Sequence, residues 1–410
     1  MCKMGPRRQF LRNMGLGTAA LLAAGRAPAA RGYAANSAVA LACIGTGGRC
    51  RRLMKQLAAV PGAKIVAVCD IWDEHLKLGR ELADPQATAS KEYRELLERK
   101  DVDAVLIGTP DHWHAKMTVD ACAAGKDVYV EKPVTHALAE GPAVIEAQNK
   151  HRRIVQVGTQ QRSMPHLQEA CEIVRSGKLG KIHKVHLSWN RNRPEHLRDL
   201  KIDPATVDWQ RFLGSARPQP FDQYRFRMWR WFWDFGGGIF TDLMVHWIDV
   251  AHWFLGLDHP QTAASIGDHF MAKGVWETPD TVQTLLKYPG RDVQVYFEGT
   301  FVNARNAAMI ELLGSEGTLY VDRGRYEIYP ERKSRLQASE KILGEGPRGG
   351  DYYLNPNSEL LHLRNWIECI ARRQPPNAPA ESGVGAAAAA HLANMALRSG
   401  QVAHWKEERG

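Results

Sequence analysis

The chain contains no Cys-x-x-Cys pair. Its seven cysteines stand at 2, 43, 50, 69, 122, 171 and 369, a spacing that argues against a zinc ribbon or a thioredoxin-type centre. A chain of 410 residues buries enough apolar surface to fold without a disulfide framework, and several of these thiols sit in apolar runs where they act as small hydrophobes. No segment is long and apolar enough for a transmembrane helix. No basic block follows the first 35 positions. Of the formal charge of +9, six charges come from Lys3, Arg7, Arg8, Arg12, Arg26 and Arg31, with no acid among residues 1–35, which leaves +3 for the rest. That balance points away from a nucleic-acid partner. What is present is ordinary globular composition, 44% hydrophobic and 24% charged, with length for two domains.

The opening "RRQFLRNMGLGTAALLAAG" places paired arginines before Phe10 and Leu11, then a short, mildly apolar stretch and small residues. Residues 1–35 therefore resemble a twin-arginine signal peptide, with small residues suited to cleavage near Ala29 or Ala35. The expectation is engagement with the twin-arginine export machinery and a periplasmic or secreted destination.

From residue 38 short apolar runs alternate with helical stretches. "AVALACIG", "KIVAVCD", "DAVLIGTP", "DVYVEKP" and "RIVQVGTQ" read as strands, with helices over 48–59, 114–124 and 139–150 among those between them. Apolar strands separated by helices imply a parallel sheet covered on both faces. The first strand runs into "GTGGRC", where Gly45 and Gly47, with Gly48 and Arg49 behind them, suit close approach to a pyrophosphate at a helix N-terminus. Cys50 replaces the third glycine of the usual motif, which predicts slightly looser helix–sheet packing. Asp70 closes the second strand, where an acid can bond both ribose hydroxyls of NAD and repel a 2′-phosphate. Its neighbours Ile71 and Trp72 supply no cation, so NAD is favoured over NADP.

"GTGGR", "VCD", "GTPDHWHA", "AGKDVYVEKP" and "VGTQQRS" occur in that order. The set resembles the glucose–fructose oxidoreductase/inositol dehydrogenase (Gfo/Idh/MocA) family. The likeness continues through "GGGIFTDLMVHWIDVAHW" to "HLANMALRSG", covering nearly everything after the signal. It implies an NAD-binding Rossmann domain over 36–160 and, over 161–410, an α+β domain with an open, largely antiparallel sheet. The last helices would pack back on the first domain. Relatives of this kind commonly pair their open sheets, which implies a homo-oligomer.

The resemblance puts Lys132 beside the nicotinamide and the reacting hydroxyl; burial and a neighbouring cation both favour a neutral amine there. Glu131 would orient or neutralise it. Asp242 and His246 stand four apart in a helical pattern and match the family's Asp-x-x-x-His. That spacing puts them on one face, with Asp242 holding the imidazole and His246 exchanging a proton. Asp249 and His252 are expected to be structural. Thr109, Pro110 and His114 are expected beside the cofactor; His112 and His114 lack a third ligand, so no metal is expected. Gln160 and Arg162, beside Gln161, follow a strand tip and are candidates for substrate contact. So are Trp189, Asn190 and Trp233, the last in an aromatic run from Tyr224 that would stack on sugar C–H faces or fill a domain interface. Arg191, Arg193 and Arg230 would bind an acidic substituent or sit in solvent.

These readings converge on an exported, NAD-dependent oxidoreductase acting on a hydroxyl or carbonyl carbon of a carbohydrate: a sugar, glycoside or polyol. Its cofactor would be held tightly and recycled. Two alternatives share the resemblance: an NAD-dependent glycoside hydrolase working by oxidation, elimination, hydration and reduction, and a non-catalytic cofactor- or sugar-binding protein.

Overall fold

The structure, a computed structural model, describes residues 38–192, 200–350 and 356–405. The signal segment and Arg193 lie outside the described residues. Six strands form the first sheet: β1 (Val39–Ile44), β2 (Ala63–Cys69), β3 (Thr88–Ser90), β4 (Ala104–Ile107), β5 (Asp127–Val130) and β6 (Val155–Val157). Every pairing is parallel and the order is β3-β2-β1-β4-β5-β6. The interior strands are buried on both sides, as β4 and β5 are throughout, which is why they read as unbroken apolar runs. The helices between them are α1 (Gly48–Leu57), α2 (Asp73–Arg80), α3 (Tyr93–Glu98), α4 (Asp111–Ala123) and α5 (Gly141–His151). Apolar residues of α3, α4 and α5 share a core cluster with one set of strand side chains. Leu53, Met54 and Leu57 of α1 pack with the other set.

The remaining helices are α6 (Pro165–Arg175), α7 (Trp209–Leu213), α8 (Gln223–Arg227), α9 (Val245–Leu255), α10 (Ser358–Arg372) and α11 (Ala380–Ser399). Leu363, Trp366, Ile367 and Ile370 of α10 join α1 against the first sheet, so the chain does return to it near its end.

The second sheet holds β7 (Ile182–Asn190), β8 (Thr262–Asp268), β9 (Thr281–Tyr288), β10 (Val293–Thr300), β11 (Ala308–Gly314), β12 (Gly317–Val321), β13 (Arg325–Pro330), β14 (Ser339–Ile342) and β15 (Ala403–His404). Its order is β14-β13-β12-β11-β7-β10-β9-β8-β15. Only β7 with β10 is parallel; the other pairs are antiparallel. The fold expected from the sequence, a Rossmann domain plus an α+β domain with an open and largely antiparallel sheet, is the fold observed. Along β9 buried and exposed residues alternate strictly from Val282 to Tyr288, the mark of a sheet with one covered face. α6, α9 and the alanine-rich α11 supply that cover.

Strand order reverses between β1 and β4, and ligands of open parallel sheets bind outside the carboxyl ends at that crevice. Gly45, Asp70, Thr109 and Lys132 all follow the carboxyl ends of their strands. The fold thereby gathers them.

Candidate functional site

Two cavities meet at this crevice. The larger, about 330 Å³, is lined by Gly45, Gly47, Gly48, Arg49, Asp70, Thr109 and Pro110. Gly45 has φ +76, and a Cβ there would lie 2.7 Å from the Thr109 backbone nitrogen, so the turn demands glycine. No side chain caps the first turn of α1, which leaves its amide end for an anion. The close packing usually given by the third motif glycine is kept by a different residue. Cys50 is fully buried, and a Cβ on Gly108 would meet its Cβ at 2.8 Å. The expected looseness is absent because the missing glycine is supplied by Gly108, just past the end of β4.

Asp70 is held in place. Its carboxylate accepts from the Trp72 amide at 3.0 Å and from Thr46 Oγ1 at 3.4 Å. The argument that no cation lies near is corrected by the fold: Arg227 approaches His75 Nε2 at 3.2 Å, and His75 stands 3.6 Å from Asp70. Sequence neighbours could not show a residue delivered from the second half. Selection against a 2′-phosphate therefore rests on the Asp70 charge itself.

The second cavity, about 260 Å³, shares Arg49, Gly108, Thr109, Trp229, Arg230 and Trp231 with the first. Lys132, Asp242, His246, His114, Glu131, Gln160 and Trp189 also line it. Lys132 Nζ donates to the Asp242 backbone oxygen at 2.7 Å and to Oδ1 at 2.9 Å. Arg230 Nε donates to the same Oδ1 at 3.2 Å. Burial by itself would raise the Asp242 carboxyl, but Lys132 and Arg230 outweigh it and hold it well below the usual carboxylate range.

Three expected pairings are corrected here. Asp242 is bonded to Lys132 and Arg230, while His246 Nδ1 has Gln161 Oε1 at 3.2 Å. The reason is local: Phe240–Met244 is a π-helical turn leading into α9, so a spacing of four does not stack side chains as an α-helix would. With Gln161 accepting, Nδ1 carries the proton and Nε2 is the basic nitrogen. Burial first, then Lys132 and Arg323, keep His246 neutral by lowering its proton affinity well below the ordinary value. Glu131 turns from Lys132 to Arg49, whose Nε donates to it at 2.9 Å, and Arg49 is also paired with Glu359. Arg162 is withdrawn from the cavity by the fully buried Asp249, its Nε and Nη2 each donating at 2.8 Å. A buried carboxylate requires such a partner.

Asn190 and Trp233 are likewise placed elsewhere. Asn190 donates to the Arg305 carbonyl at 2.6 Å, and Trp233 lines a separate cavity with His136, Met395 and Arg398. His112 and His114 are engaged by main-chain carbonyls: Phe212 at 2.8 Å for the first, Pro133 at 2.6 Å and Thr109 at 2.8 Å for the second.

Asp111 and Phe301 line the cavity without having been singled out for it, and Trp231 reaches it from the aromatic run. Asp111, the first residue of α4, is 3% exposed, and burial pushes its carboxyl well up, partly offset by Lys132 and Arg230. Its signal was an acid in a helix's first turn immediately after a strand tip. Phe301 follows β10 and had no local signal. Gln160 Oε1 is buried with no partner among the described residues, so it can accept from a ligand hydroxyl.

Residues 39–159 match the profile of an oxidoreductase family with an NAD-binding Rossmann fold, and residues 167–320 match the GFO/IDH/MocA C-terminal domain. The chain belongs to the Gfo/Idh/MocA family. The glycine turn and Asp70 fit the NAD that the family profile carries. Among relatives, myo-inositol 2-dehydrogenase of Thermotoga maritima is 24% identical over 84% of this chain and 91% of its own. The NAD(+)-dependent scyllo-inositol 2-dehydrogenase of Bacillus subtilis is 25% identical over 78% and 82%. A levoglucosan dehydrogenase in complex with NADH superposes over 90% of this chain and 100% of its own, with TM-score 0.71 at 16% identity, a likeness of fold.

Proposed function

We propose that this Gfo/Idh/MocA oxidoreductase oxidises a sugar or polyol hydroxyl, or reduces the matching carbonyl, in the cavity around Lys132. Bound NAD supplies the hydride acceptor. The observation that carries the reading is the Lys132 amine nitrogen, fixed by two bonds to Asp242 in a cavity that shares a wall with the dinucleotide cavity. Lys132 takes the hydroxyl proton as the carbonyl forms and returns it in reverse. Neutral His246, with Nε2 basic, accepts a hydrogen bond from the same hydroxyl or its neighbour. Gln160 Oε1 accepts from an adjacent hydroxyl. Trp189, Trp229 and Trp231 contribute apolar wall to the cavity for the C–H side of a ring. Names of relatives support the substrate class: two act on inositols.

The reading extends to export by the twin-arginine route and to a retained cofactor. Residues 204–213 are tied down beside the dinucleotide cavity, whose wall Arg211 and Phe212 join. Val207 bridges to Trp72, the Asp208 amide donates to the Ile71 carbonyl at 2.9 Å, and the indoles of Trp72 and Trp113 donate to Thr206 at 3.2 Å and Phe212 at 3.0 Å. A wall held by several bonds favours slow release of a bound nucleotide. The test is to purify the mature protein, dialyse it extensively, denature it and assay the supernatant for nucleotide. Reduction of bound nicotinamide is then followed with a panel of sugars, polyols and aryl glycosides, with product analysis by NMR. Nucleotide at near one per chain and a carbonyl product support the reading. An aglycone released with no net redox change would place the protein with the glycoside hydrolases.

A further inference from the structure

Asp111, Glu131 and Asp242 are the acids that line the smaller cavity. Asp242 is bonded to Lys132 and Arg230, and Glu131 to Arg49. Asp111 is buried too, yet its carboxyl has no hydrogen bond or ion pair among the described residues. A buried carboxyl is costly to leave without a partner. Asp111 also lies away from the dinucleotide. Pro110 lines the larger cavity and Thr109 lines both, whereas Asp111 lines only the smaller one.

The fold fixes this carboxyl beside Lys132. Strands β4 and β5 are parallel neighbours, with Ile107 beside Val130, and paired strands lie about 4.8 Å apart. Asp111 follows the end of β4 and Lys132 the end of β5. The buried ring of His114 ties the two exits together: Nδ1 lies 2.6 Å from the Pro133 carbonyl oxygen and Nε2 2.8 Å from that of Thr109. After burial itself, Lys132 has the greatest effect on the Asp111 carboxyl, as their closeness requires. Oxygens held at these two side chains therefore belong to neighbouring carbons of one small ligand.

We infer that Asp111 sets substrate specificity: its carboxyl binds the hydroxyl on the carbon next to the one oxidised at Lys132, so the substrate is a vicinal diol. This rests on the oxidoreductase reading above and deepens it. A carboxyl oxygen accepts from that hydroxyl whether or not the group carries a proton. A substrate with only hydrogen at that carbon covers Asp111 and leaves it unpaired, the means by which a site built for a hydroxyl rejects analogues that lack it. Simple secondary alcohols and sugars deoxygenated at that carbon are therefore poor substrates.

The experiment uses the full-length holoenzyme. Nicotinamide reduction is recorded with a panel of sugars and polyols that includes glucose, galactose and myo-inositol, and NMR of the product places the new carbonyl. The monodeoxy and monodeoxyfluoro analogues of each oxidised parent are then compared with it; fluorine keeps the size of the hydroxyl and donates nothing. Losing one hydroxyl beside the reacting carbon, by either replacement, should lower kcat/KM about 10- to 100-fold, the worth of a hydrogen bond to a carboxyl group. D111A should bring that parent-to-deoxy ratio down to near one, the non-additivity of two groups in contact. D111N, which keeps the size and one acceptor oxygen, should fall between, and it reads the same ratio should the alanine variant not fold. Wild-type indifference to both neighbouring hydroxyls, a ratio that D111A and D111N leave intact, or an effect confined to nucleotide content would overturn the inference and leave the oxidoreductase reading standing. The last of these would give the carboxyl to the ribose of the cofactor. Reduction by no member of the panel would overturn that reading and this one together.

Discussion

Lowering the pH from 7 to 5 charges, in the unfolded chain, four histidines that the fold keeps neutral. His112, His252, His362 and His391 are at most 7% exposed, and burial lowers them to about 3, 3, 4 and 4 against an ordinary value of 6.5. Their contacts suit neutral rings: His362 Nε2 donates to the Val157 carbonyl at 2.9 Å while Nδ1 accepts from Ser163 at 2.7 Å. The native values are depressed, so between pH 6.5 and 4 the unfolded chain binds more protons and stability falls as pH falls. Each such histidine costs about 2 kcal/mol between pH 7 and 5, or about 8 kcal/mol for the four. His186 works the other way. Although burial opposes it, Glu298 and Glu311 raise it to about 9. Its contribution is complete below 6.5 and lost as pH rises through 9, so acidification returns about 1 kcal/mol. A net loss of about 7 kcal/mol is comparable to the whole stability of a typical domain, about 5–15 kcal/mol. Far-UV circular dichroism should therefore show cooperative unfolding near pH 5. The acid arm of the rate profile should be steeper than one ionisation, because Asp242 stays charged well below that pH. H391N, which cannot titrate, should flatten the dependence by about a quarter. A melting temperature at pH 5 equal to that at pH 7 would refute the reasoning.

Lys132→Ala should abolish turnover while bound NAD persists, measured as nucleotide content beside activity; retained turnover would return Lys132 to an ordinary solvated strand end. His246→Ala and Asp242→Asn should each lower the chemical rate by roughly 10²–10⁴-fold in single-turnover kinetics, the second because Lys132 loses the oxygen that fixes it. Asp70→Ala should weaken NAD binding and erode discrimination against NADP, read by titration calorimetry on stripped protein. Arg162→Ala should cost about 3–5 kcal/mol of stability by stranding the buried Asp249 carboxylate and should leave the ranking of substrates unchanged; a changed ranking would place Arg162 at the substrate after all.

Much of this protein was legible in one dimension because the relevant physics is local or periodic. Strands buried on both faces must be apolar throughout, a dinucleotide turn needs glycine at Gly45, and an acid at the end of β2 sits beside whatever that turn holds. Lys132 was found through the likeness of its Glu-Lys-Pro motif to that of the family, and the fold sets it just past the carboxyl end of β5. Fine placement was not legible, since it depends on which residue reaches a shared partner first. Asp249, silent in the sequence as a ligand, takes Arg162 because a buried carboxylate must be neutralised by the nearest cation. The π-turn at Phe240–Met244 hides inside an unremarkable helical pattern, yet it sends Asp242 to Lys132 and leaves His246 to Gln161. Gly108 replaces a motif glycine from just past the end of β4, since only the distance between β4 and α1 matters to their packing. Arg227 reaches the ribose corner, and Arg191 and Arg230 come to rest on tryptophans around one cavity, because strands and loops far apart in the chain converge there. Which groups share that cavity is set by neighbours in space, and only the tertiary structure decides who the neighbours are.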